Sequence, residues 1–73
     1  MLHYTFVLNL TAEQILPYYR GQAKRLSVMS EQGLRLELPA ERLRPFVTSY
    51  GIRGRFRLTT EDNHSFLDLE RLT

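Results

Sequence analysis

No cysteine occurs among the 73 residues. That absence removes disulfides, thiolate metal sites and cysteine nucleophiles together, and it fits a reducing compartment, so the cytoplasm is the expected location. No apolar run approaches the roughly 18 residues that a membrane-spanning helix needs. The N-terminal MLHYTFVLNL has no basic leader before its apolar part and reads as structure, so a membrane partner is not expected. Lysine is almost missing too: Lys24 stands alone against nine arginines. Arginine is the residue for bidentate contacts to phosphate or carboxylate. The net charge of +2 is modest, so it keeps an anionic partner in view without identifying one.

What is present describes one small domain over residues 1–73, near the size where a single core is marginal and self-association helps. An apolar share of 42% with 25% charged residues is ordinary for a folded chain. From Leu2 to Leu10 the even positions are apolar and the odd ones include His3, Thr5 and Asn9, the pattern of a strand with one buried face. Thr11 and Gln14 form a T-x-x-Q capping box, predicting a helix over about Ala12 to Arg20. Gly21 is placed to end it, and Pro17 should kink or shorten it.

Ala23 to Ser30 and Leu34 to Leu38 read as a hairpin joined by Glu31-Gln32-Gly33, with Val28 opposite Leu36 and Leu26 opposite Leu38. Pro39 to Leu43 reads as one helical turn, and Arg44, preceding Pro45, is expected to be extended and to end it. Ile52 onward alternates again, with Gly54 marking a bulge or a close backbone approach, and Ser65 to Leu72 completes the set. The expected fold is α+β and mostly β: about five short antiparallel strands in a bent sheet or a small, partly open barrel, with one short helix after the first strand and a helical turn near 39–43.

The stretch from Arg42 to Thr60 carries five arginines and no acidic residue. Guanidinium groups beside Tyr50 resemble a nucleic-acid surface, with cations for phosphate and an aromatic for stacking. The acids of the last strand supply a simpler explanation for part of it. If Thr60 pairs with Ser65, Arg57 faces Asp68, Arg55 faces Glu70 and Arg53 faces Leu72, and cross-strand opposite charges contribute about 0.2–1 kcal/mol each. That register also turns Phe66 outward. Arg42, Arg44, Tyr50 and Arg53 then remain as candidate binding residues, with Arg20, Lys24 and Arg25 as an alternative anion-binding set.

Nothing points to catalysis, a metal or a cofactor: His3 and His64 fall on an outer strand face and in a turn, no serine sits in a nucleophile motif, and metal-ligand spacing is absent. The leading expectation is a non-enzymatic interaction domain that binds a protein partner or itself, through an open sheet edge or an aromatic patch of Tyr18, Tyr19 and Phe66. An RNA- or DNA-binding module on the arginine surface is the alternative.

Tyr18-Tyr19-x-Gly21, Leu38-Pro39-Ala40-x-x-Leu43-Arg44-Pro45-Phe46 and Gly51-Ile52-x-Gly54-x-Phe56 together resemble a gammaproteobacterial family of short proteins of unknown function, DUF2835-like, over nearly the whole chain. The resemblance implies a cytoplasmic bacterial protein and carries over no activity. Ser30-Glu31-Gln32-Gly33 is weakly similar to the S-x-x-G part of the cyclic-di-GMP-binding PilZ domains, with Arg20 to Arg25 similar to their basic motif. Val28 departs from that pattern, and the gap from Arg25 to Ser30 is shorter than in those domains. This second resemblance implies cyclic-dinucleotide binding through Arg20, Lys24, Arg25 and Ser30.

Overall fold

Alternating apolar residues make five strands here, and they pack as two layers. The computed structural model describes residues 1–73. Strand β1 (Leu2–Thr11) leads through helix α1 (Ala12–Tyr19) to β2 (Arg25–Met29) and β3 (Arg35–Pro39). Two 3-10 turns follow, Ala40–Arg42 and Arg44–Phe46, and then β4 (Gly51–Thr60) and β5 (Phe66–Arg71). One antiparallel sheet has the order β1-β4-β5 and the other is the β2-β3 hairpin, so the sheet does not close into a barrel.

The local signals act where they stand in the chain. Thr11 accepts from the Gln14 N–H while the Gln14 side chain accepts from the Thr11 N–H, completing the capping box. At the other end Gly21, at φ +81°, lets its own N–H reach Tyr18 O and that of Gln22 reach Pro17 O, the paired bonds of a Schellman motif. The helix with Pro17 inside it is thereby held to eight residues. Gly33 at φ +84° closes the β2-β3 hairpin, and Val28 faces Leu36 and Leu26 faces Leu38, as the alternation predicts.

The inward faces of both sheets, with Ile15 and Leu43, form one cluster of 13 buried residues. Phe56 sits at its centre, stacked on its cross-strand neighbour Phe6 with ring centroids 5.7 Å apart and met edge-on by Phe46 at 5.3 Å.

Three expectations change. Arg44 does not end the helical turn in an extended conformation; a second 3-10 turn runs over Arg44–Phe46, closed by Phe46 N–H to Leu43 O and Val47 N–H to Arg44 O. Burial of Leu43 and the packing of Phe46 on Phe56 outweigh the bias against a turn before proline. The last hairpin is also two residues out of the expected register: Arg57 faces Glu70, Thr59 faces Asp68, and a bulge at Thr59/Thr60 places Phe66 opposite Thr60. Leucines at both 67 and 69 satisfy the alternation equally, so the turn chooses between them, with His64 in the left-handed region at φ +71°. In consequence Phe66 packs against the core and is not an outward aromatic.

Candidate ligand-binding groove

Each arginine of the basic stretch meets a different fate. Arg57 forms an ion pair with Glu70, its cross-strand neighbour. Arg55 pairs instead with Glu31, at 2.9 Å, because the β2-β3 loop reaches across to the three-stranded sheet. Thr5 and then Arg55 hold the Glu31 carboxyl below its ordinary range. Arg53 is exposed opposite Asn9 on the outer face of that sheet, and Arg42 lies 4.5 Å from the centroid of the Phe66 ring. Tyr50 is exposed in the tight turn between Thr48 and Gly51, whose backbones bond to each other in both directions. The four candidates Arg42, Arg44, Tyr50 and Arg53 are thus not one site.

Arg44 belongs with the other set. Its guanidinium stands 5.2 Å from the centroid of Tyr19 and donates to the Tyr19 carbonyl at 2.6 Å, supplying a cation and a donor to the helix C-terminus. Lys24 and Arg25 approach it from the start of β2, held there by the bond from Ala40 N–H to Lys24 O that joins the two chain segments. Between them is a half-open groove of about 480 Å³, walled by Tyr18, Lys24, Arg25, Glu41 and Arg44 over Ala23 and Ala40. Arg20, the C-cap of α1, is exposed beside it and does not line it. Lys24, Arg25 and Arg44 have no carboxylate within 4.0 Å; the ion pairs of the protein are Met1 N-terminus with Asp62, Arg55 with Glu31 and Arg57 with Glu70. Three cations against one carboxylate make a positive hollow of the size that ligands occupy.

Ser30 does not join it. Its hydroxyl is buried and accepts the Leu34 N–H at 3.0 Å, so it closes the hairpin at the opposite end of β2 from Arg25. No group of three or more His, Asp or Glu side chains is arranged to hold a metal.

The segments Tyr18 to Gly21 and Leu38 to Phe46, which build this groove, fall within a match to the family model described as a protein of unknown function, covering residues 2–72. The chain belongs to the DUF2835 family. Comparison with curated proteins and with solved structures returns no match. No helix of this DUF2835 domain is long and apolar enough to cross a membrane.

The sequence alone separated Arg44 from Lys24 and Arg25 and assigned them to rival surfaces. Gly21 stops the helix three residues before Lys24, so the sequence does place Lys24 and Arg25 close behind the helix C-terminus. Nothing in the local pattern announces that Arg44 comes to meet them.

Proposed function

We propose that this DUF2835 domain is a non-enzymatic interaction module whose partner is anionic and is held at the Tyr18–Arg44 groove. The observation that carries the reading is the convergence of Lys24, Arg25 and Arg44, unpaired, on one hollow with a single carboxylate. Cations left without carboxylates beside a concave surface are the donor set for phosphate, sulfate or clustered carboxylates. The test is retention on a heparin matrix. The wild-type domain should be held at about 50 mM salt and released as salt rises, since each contacted anionic group releases counterions. The K24E/R25E/R44E variant should pass through unretained, whereas R53E, which lies on the outer face of the sheet, should keep most of the retention. A wild-type domain that flows through, or a triple variant that elutes with it, overturns the proposal.

Self-association is the second reading, favoured by the outer edge of β5, which pairs with β4 on one side only and carries the exposed Leu67. It expects a dimer that dissociates on dilution in light scattering. A strict monomer across the concentration series removes it.

A further inference from the structure

We infer that the groove is one end of a track for single-stranded nucleic acid that continues across the Arg44–Tyr19 contact, an inference that rests on the anion-binding reading above and deepens it. A second hollow of about 400 Å³ lies between α1 and residues 47–49, lined by Leu16, Tyr19, Val47 and Thr48 among others. Arg44 lines the first hollow and Tyr19 the second, and the Arg44 guanidinium lies over the Tyr19 ring, so this cation–π contact joins the hollows. The first supplies charge through Lys24, Arg25 and Arg44. The second supplies exposed apolar surface: Leu16 is 38% and Tyr19 47% exposed, and Tyr50, one residue beyond Ser49 at its rim, is 84% exposed.

A single strand alternates a charged phosphate with a flat apolar base, and it binds surfaces that interleave cations with aromatic platforms. Other anionic partners leave part of this arrangement idle. A duplex presents phosphates but keeps its base faces stacked inside. An acidic peptide would use the cations and leave Tyr19 and Tyr50 without a role. A small molecule is ordinarily enclosed over most of its surface, whereas both hollows are only half enclosed. Arg44 is fixed in place and still able to bind: one N–H is spent on Tyr19 O, its guanidinium rests over the tyrosine ring, and its remaining donors are free to reach a phosphate.

Fluorescence anisotropy with labelled oligonucleotides of about 12 residues, within the span that small single-strand modules cover, decides it. The set comprises oligo-uridine, oligo-thymidine, a duplex of the same length and an acidic peptide of equal charge. The full-length domain should bind at least one single strand about tenfold or more tighter than the duplex or the peptide, and the preferred strand identifies RNA or DNA as the partner. Tyr50→Ala, a change at an exposed side chain, should weaken single-strand binding about tenfold, the loss expected for one base stack, while retention on heparin is unchanged. With three phosphates contacted, a fourfold rise in salt should weaken binding roughly 20-fold. Arg53→Gln, off the track, should bind as the wild type does. Equal affinity for single strand and duplex, equal affinity for the peptide, or an unaffected Tyr50→Ala overturns the inference. If heparin retention persists in that case, the anion-binding reading stands without it; if retention is also absent, both fall.

Discussion

At the scale of single residues, two glycines of β4 set the sharpest constraints. Gly51 sits at φ +112°, and a Cβ there would lie 2.1 Å from the Leu10 carbonyl oxygen and 2.6 Å from the Thr11 carbonyl carbon. Those atoms are backbone at the junction of β1 and α1, where nothing can give without moving the helix start. Gly54, at φ +148°, would meet the Thr73 carbonyl oxygen at 2.7 Å and Arg71 Nε at 2.9 Å, which is the close approach that a glycine inside a strand announces. The nearest contact there is longer than at Gly51, and the second is to a flexible arginine side chain. Gly51→Ala should therefore cost about 3 kcal/mol or more and Gly54→Ala distinctly less, read from the midpoints of denaturant unfolding. Equal losses, or a milder Gly51→Ala, would contradict this account of the two contacts. The arginines teach the converse lesson. Five that look alike in the sequence divide into two ion-paired residues, one over Phe66, one capping a helix, and one exposed.

At the scale of elements, the β2-β3 loop works as a clasp on the free edge of β1. The Glu31 N–H donates to Thr5 O at 2.7 Å, the Gln32 side chain accepts from the Thr5 N–H and donates to the Thr5 hydroxyl, and Glu31 reaches on to Arg55. One loop thus ties the two sheets together and covers the middle of an edge strand that would otherwise invite pairing. Because the Glu31 carboxyl is lowered in the folded protein, its contribution is present above the ordinary glutamate value of 4.5 and is lost as pH falls through the lowered one. Glu31→Gln should flatten that part of the acid-side decline, so wild type and variant, separated at neutral pH, should converge at strongly acidic pH in thermal melts. A gap that stays constant across the pH range would exclude ionic clasping. The hairpin itself was legible from its alternation and Gly33. The target of its loop was not, because Thr5 and Arg55 lie 27 and 24 residues from their partners and no periodicity links them.

At the scale of the whole molecule, two sheets enclose one apolar cluster and leave two strand edges, β1 clasped and β5 open. A chain of this length has little stability to spare, so closure of the helix and the 40–46 segment over the ends of the sheets serves the core first and leaves the cationic groove as its by-product. The sequence by itself determined the number and order of the strands, the helix and its caps, the β2-β3 register and the inward side of β1 to β4. All of these depend on neighbours within a few positions: a side chain that caps a nearby N–H, a glycine that alone accepts positive φ, a period of two or of 3.6. Membership of the DUF2835 family was legible for the same reason, through short runs of turn and core residues. Only the tertiary structure decided the rest. A two-residue slip in the β4-β5 pairing keeps the parity of the strand, so the alternation is blind to it; a left-handed His64 and a bulge settled it and turned Phe66 inward while leaving Leu67 exposed. The groove required more still: Arg44 meets Tyr19, Lys24 and Arg25 because Leu43 and Phe46, on either side of it, are drawn into the core. Burial of Leu43 and the packing of Phe46 against the core hold Arg44 at the end of the helix, and that packing is set by distant segments that no local pattern encodes.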